Sequence, residues 1–179
     1  MTDRKLDNPP KRELAQQLTG VLADSYLLYH TTQFCHWNIV GGQFRALHEM
    51  FEEQYRALAE AVDMIAERIR ILGFFTPGTL KDYAALSSNK QPEHMHEPEE
   101  MLEQLIEAQE TVTRRIEAAI PVAHRVKDEA THDLLVERLR AHQKATWMLK
   151  SQAGHDSAKL QIVEMDLMPQ TDYVSAEVV

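Results

Sequence analysis

Apolar residues recur along this chain in steps of three and four, and only a few places interrupt them. From Lys11 to about Trp37, the residues Leu14, Leu18, Val21, Leu22, Leu28 and Phe34 keep the helical interval, after Pro9 and Pro10 mark a start. Gly41 and Gly42 break that helix. A second is predicted from about Gln43 to Leu72. Its seam is Phe44, Phe51, Tyr55, Leu58, Val62, Ile65, Ile69 and Leu72, and Gly73 closes it as a C-cap signal. Segment 74–96 is rich in turn formers, with room for a short helix over Leu80–Leu86. Glu97 and Pro98 open a third long helix, and Glu99 and Glu100 suit its positive N-terminal dipole. Pro121 is expected to kink or end it. Asp128 reads as the N-cap of a fourth helix running to Ala153, before Gly154. No segment reads as a strand. The prediction is an all-α four-helix bundle over 12–154, with a short helix in the long connection between helices two and three. A flexible tail at 1–11 and an acidic tail at 155–179 flank it.

Composition narrows the class. The chain has 179 residues, 44% of them hydrophobic, so one domain of ordinary size can bury its own core without disulfides or metal. Cys35 stands alone, which excludes an internal disulfide framework and suits a reducing compartment. No apolar run approaches the roughly 20 residues of a membrane span. The opening MTDRKLDNPPKREL has no apolar segment behind its charges, so the expectation is a cytoplasmic protein without a membrane partner. Lys plus Arg is 19 against 28 Asp plus Glu, a net charge of −9. Such a surface repels phosphate backbones and attracts cations.

The second helix carries the candidate chemistry. His48, Glu52, Asp63 and Glu67 lie on the flank of its seam as two i, i+4 pairs. Solvated carboxylates with an incidental histidine are the commoner meaning of such a face. Distance sharpens the choice. His48 and Asp63 are fifteen residues apart, about 22 Å along a helix axis, so one ion cannot touch both within a chain. If two copies of this helix pack antiparallel about a two-fold near Leu58, each His48/Glu52 end meets the other's Asp63/Glu67 end. Two symmetric sites per dimer result, and imidazole plus carboxylates suits iron or a similar divalent metal.

His36-Trp37-Asn38-Ile39-Val40-Gly41-Gly42-Gln43-Phe44, then Leu47 to Glu52, then Asp63-Met64-Ile65-Ala66-Glu67-Arg68 together resemble the Dps family, the mini-ferritins. Weaker motifs extend the resemblance over about residues 12–153, including Gly73 and Trp147. It implies a ferritin-like bundle assembled as a hollow homo-dodecamer. It also implies oxidation of Fe²⁺, preferably by hydrogen peroxide, with ferric mineral stored inside. Matched to the family's ligands, His36, His48 and Glu52 come from one subunit and Asp63 and Glu67 from its two-fold partner. Glu52 departs from the Asp of many members and reaches one methylene further. Trp37 resembles the family's tryptophan beside the site, an electron donor or a packing residue of the interface. Asp128, Asp133 and Glu137 match acids that line a three-fold pore admitting Fe²⁺, although an N-cap and solvated acids account for them equally.

Other readings are weaker. An intrasubunit di-iron centre needs two Glu-x-x-His matches on different helices, and Glu129–His132 is the single one. His94 and His96, flanked by Glu93 and Glu97, form a possible soft-metal ligand group in a polar connection. Cys35 is expected in the core. A nucleoid protein that coats DNA is the rival function. Residues 1–12 set Arg4, Lys5, Lys11 and Arg12 against Asp3 and Asp7, so DNA binding is expected to be weak or absent. A purely structural bundle leaves the coincidence of His36, His48, Asp63 and Glu67 unexplained.

Overall fold

The computed structural model describes residues 8–89, 95 and 97–155. Five helices follow one another: α1 (Pro9–Asn38), α2 (Phe44–Ile71), α3 (Leu80–Leu86), α4 (Pro98–Arg125) and α5 (Glu129–Gln152). The helices α1, α2, α4 and α5 form the bundle. Two tight turns, 39–43 and 126–128, make α1–α2 and α4–α5 antiparallel hairpins, and α1 packs against α4 to join them. The connection between hairpins carries α3, which lies on α1. No described helix is long and apolar enough to cross a membrane.

The helices begin and end where local chemistry directs. Pro9 and Pro10 occupy the first turn of α1, where a missing N–H costs nothing, and Asn8 accepts from the Lys11 amide as N-cap. The Gly73 φ of +98° is a left-handed conformation that only glycine adopts cheaply, and it stops α2. Thr79 and Asp82 close a reciprocal capping box on α3, and Asp128 caps α5 by accepting from the Thr131 amide at 3.2 Å. The tails expected at 1–11 and 155–179 fall mostly outside the described residues, and α1 already begins at Pro9.

One expectation is corrected and one is narrowed to its other half. Pro121 does not end its helix: α4 continues to Arg125. Proline at 121 frees the carbonyl of Glu117, and both residues lie on the exposed face, where that oxygen is open to solvent. On the opposite face Ala119, Val122 and Ala123 are buried, and their packing carries the helix through. Phe44 does not belong to the buried seam of α2. It is 46% exposed at the helix's first residue, while Leu47, Met50 and Ala61 join Phe51, Leu58, Ile65 and Ile69 in the core. Tyr55, Val62 and Leu72 sit half-buried at the seam's edge.

Two polar devices lie within this core. Asp24 is fully buried on α1, forming a close ion pair with Arg115 of α4 at 2.6 Å. Its other carboxylate oxygen accepts from the Ser87 hydroxyl at 2.7 Å and the Ser88 amide at 2.6 Å, fixing the end of α3 to the bundle. A Cβ on Gly20 would stand 2.0 Å from the Arg115 guanidinium, so the glycine keeps this pair's space open. Between α2 and α5 lies a cavity of about 210 Å³, lined by Gln54, Leu58, Gln109, Arg138, His142 and Met148 among others. There His142 Nδ1 meets Gln109 Oε1 at 2.6 Å, and the Gln54 amide and Arg138 Nε are buried without a protein partner. The cavity's walls are mainly apolar, and these few polar atoms are where water could bind.

Burial, aided by the positive charge of Arg138, pushes the His142 imidazole down to about 4. The folded protein therefore refuses a proton that the unfolded chain accepts near pH ~6.5. This contribution is complete above that value and is lost as pH falls toward 4, roughly 3 kcal/mol per subunit in all. Thermal melting of the wild type should fall across that window more steeply than that of His142→Gln. Parallel curves would show that the imidazole is not responsible.

Candidate metal centre

The α1–α2 hairpin brings two histidines face to face. His36 lies in the last turn of α1, and the turn through Gly41 (φ +96°) swings His48 of α2 beside it. Their rings stack 3.8 Å apart, inclined by 22°. His36 Nδ1 reaches the backbone carbonyl of His48 at 2.9 Å, and His48 Nδ1 reaches the carbonyl of His36 at the same distance. A carbonyl oxygen can only accept, so each Nδ1 carries a proton, and in the neutral ring each Nε2 keeps its lone pair. Histidines that bind metals are held in this way, the second nitrogen anchored to a carbonyl. Aromatic rings bracket the pair. Phe44 stacks on His48 at 4.9 Å, and Tyr55 meets His36 edge-on at 5.2 Å.

The acids are distributed along one rod. Glu52 stands one turn beyond His48, half-buried, and pairs with the exposed Arg56. Asp63 and Glu67 are exposed farther along the same unbroken helix, about 22 Å from His48 in the case of Asp63. Among the described residues, no group of three or more His, Cys, Asp or Glu converges within the chain. The structure thus brings His36, His48 and Glu52 to one end of α2 and leaves Asp63 and Glu67 at the other. Trp37 is 64% exposed beside His36.

The remaining candidates separate clearly. Asp128 pairs with Arg68 at 2.5 Å and accepts from the Thr131 hydroxyl at 2.8 Å. Burial pushes its carboxyl up, but hydrogen bonds from Arg68 and Thr131 outweigh that and leave it below the usual carboxylate range. Asp128 therefore has a structural role, while Asp133 and Glu137 are exposed, Glu137 against Arg138 at 2.8 Å. Glu129 is exposed too, and the cavity between α2 and α5 offers as polar groups Gln54, Gln109, His142 and the cationic Arg138, a set suited poorly to an intrasubunit metal pair. His94 and His96 lie outside the described residues, as does Glu93; Glu97 is the N-cap of α4. What the sequence could not reveal is the ring environment of Tyr55 and the exchange of carbonyl bonds between His36 and His48. Both depend on the hairpin's closure.

Comparison with known proteins follows the same lines. The ferritin-like domain family matches residues 15–158. A low temperature-induced protein of Nostoc sp. is 36% identical over 150 residues, covering 82% of this chain and 83% of the relative. DNA protection during starvation protein 2 of Bacillus anthracis is 31% identical over 140 residues, covering 78% and 96%. The crystal structure of the Dps protein of Vibrio cholerae superposes with a TM-score of 0.77 at 27% identity, over 80% of this chain and 90% of that one. That structure is described as a ferritin-like diiron-carboxylate protein.

Cys35 is adjacent to His36 in sequence yet fully buried, and burial pushes its thiol up to about 12. A disulfide reagent at pH ~8 should leave the native thiol unmodified and consume one equivalent per chain once the protein is unfolded. Rapid native labelling would mean that this end of α1 opens readily.

Proposed function

This chain belongs to the Dps family of ferritin-like proteins, and we propose that it oxidises Fe²⁺ at sites shared between subunits and stores the ferric product in a dodecameric cage. Iron binding in the general sense comes with the diiron-carboxylate fold. The specific site, oxidant and assembly are our reading. One observation carries it: the paired carbonyl bonds hold Nδ1 of His36 and of His48, so that Nε2 is the nitrogen each ring can offer to a metal. Borderline and hard donors both fit ferrous iron, with imidazole nitrogen from these two residues and carboxylate oxygen from Glu52, and from the partner's Asp63 and Glu67. A helix too long to bend its own acids back to His36 is complete only beside a second copy.

Hydrogen peroxide is the proposed oxidant. Each of two Fe²⁺ ions gives up one electron, the O–O bond breaks, and two protons complete two water molecules. Protein groups position the ions; the electrons come from the iron itself. Of the acids proposed to line an entry pore, Asp133 and Glu137 remain exposed, with Asp128 holding the turn before α5 for them. The buried lone cysteine supports a reducing, cytoplasmic setting. DNA protection, which the Bacillus anthracis relative is named for, is the second reading.

His36→Ala and Asp63→Ala should each abolish fast Fe²⁺ oxidation while leaving the assembly intact, since the helix seams hold the fold. Co-expressing the two variants should restore about a quarter of the sites, those that draw both intact halves from different chains. Intact mixed cages with no recovered rate would place the ligands within one subunit and overturn the shared site.

With a net charge of −9 and few basic residues near the amino terminus, DNA affinity should be weak. A gel shift at roughly 150 mM salt, where the Debye length is about 8 Å, should show free DNA. Retarded DNA there, released on deleting residues 1–12, would promote the DNA-coating function.

A further inference from the structure

The described residues contain four tyrosines, Tyr26, Tyr29, Tyr55 and Tyr83, and all four stand in one line of ring contacts. The line starts at the di-histidine pair. Tyr55 meets His36 edge-on at 5.2 Å, Tyr29 meets Tyr55 at 6.3 Å, Tyr26 meets Tyr29 at 6.1 Å, and Tyr83 stacks on Tyr26 at 4.2 Å. Three helices contribute: α2 supplies Tyr55, α1 supplies Tyr29 and Tyr26, and α3 supplies Tyr83. Tyr83 is buried and the other three are half-buried. No phenylalanine interrupts the line, although phenylalanine fills an aromatic core position equally well, as the fully buried Phe51 does nearby on α2. At the inner end, Arg56, next to Tyr55 on α2, pairs with the Glu52 carboxylate, a proposed ligand. At the outer end, the Tyr83 hydroxyl donates to the Pro77 carbonyl at 3.0 Å, beside exposed Leu80 and Leu86. Trp37 takes no part in the line and faces outward.

We propose that Tyr55, Tyr29, Tyr26 and Tyr83 form a relay that carries single oxidising equivalents from the di-histidine site to the α3 side of the bundle. The proposal rests on the ferroxidase reading above. Peroxide is a two-electron oxidant, so a site holding only one Fe²⁺ receives one equivalent too many. The ferrous ion gives one electron, the O–O bond breaks, and hydroxide and a hydroxyl radical result. Tyr55 gives its phenolic hydrogen atom to that radical, forming water and a tyrosyl radical. Each hop then returns an electron and a proton to the oxidised ring, and the next tyrosine loses an electron and its phenolic proton, with water exchanging the protons. Tyr83 is restored by a second Fe²⁺ at the surface, which supplies the electron while water supplies the proton. Two ferrous ions are again oxidised per peroxide, without a radical escaping at the metal site.

The test uses the assembled protein, loaded without oxygen with one Fe²⁺ per site, given one equivalent of hydrogen peroxide, and trapped with a nitroso spin trap before peptide mapping. In wild type the trap should label Tyr83 as well as Tyr55. In Tyr29→Phe, which keeps the ring and lacks only the hydroxyl, Tyr83 labelling should fall severalfold and Tyr55 labelling should rise. The initial rate with excess Fe²⁺ should be unchanged. Packing alone would move none of these labels. Equal Tyr83 labelling in the two proteins, or no label beyond Tyr55 in wild type, overturns the relay while leaving the ferroxidase reading intact. Absence of iron oxidation in wild type overturns both.

Discussion

An unbroken helix of 28 residues cannot fold its two ends together, and most of this protein's behaviour descends from that constraint on α2. One end of the rod joins His36 through the α1 hairpin; the other presents Asp63 and Glu67 to solvent. Neither end is a metal site alone. In the proposed shared site, association would complete the ligand set rather than cover an apolar face. The same rigidity preserves the histidine pair. Each ring is anchored to backbone of the neighbouring helix, so its orientation is set by the hairpin and not by a mobile side chain.

Much of the fold was legible because it is governed locally. The bounds of α3 at Leu80 and Leu86, the cap at Asp128 and the stop at Gly73 follow from capping side chains and from glycine's freedom at positive φ. Where tertiary packing competes with a local rule, the sequence misleads. Pro121 reads as a breaker, but three buried neighbours outweigh one lost hydrogen bond on the solvent side. Phe44 fits the seam by interval, yet it is the first residue of its helix and finds His48 instead of the core. For the site, the sequence spacing places His36 and His48 within reach of one hairpin and Asp63 and Glu67 far along the same helix, and the structure shows that separation. The stacking of His36 on His48 was not legible, since it depends on how two helices meet across a five-residue turn.

The interior is less uniformly apolar than its helical seams suggest. Asp24 with Arg115 ties α1, α4 and the end of α3 into one unit, and burial of such a pair costs desolvation that only complete pairing offsets. Its benefit is specificity of arrangement: only one placement of the long connection supplies Ser87 and Ser88 to the same carboxylate. The cavity between α2 and α5 follows the opposite principle, with Gln54 and Arg138 left short of protein partners. The bundle is therefore firmly fixed on its α1–α4 side and more loosely filled on its α2–α5 side.

Cys35 brings a different property into view. Peroxide attacks sulfur through the thiolate, climbing from sulfenic acid toward irreversible products. A thiol raised to about 12 holds almost no thiolate near neutral pH, and its fully buried sulfur meets little solvent. The most readily oxidised type of side chain in the chain thus adjoins His36 in sequence and remains chemically silent. Under the proposed oxidation chemistry the protein would need durability as much as reactivity, and one helical residue's inward orientation supplies it at this position.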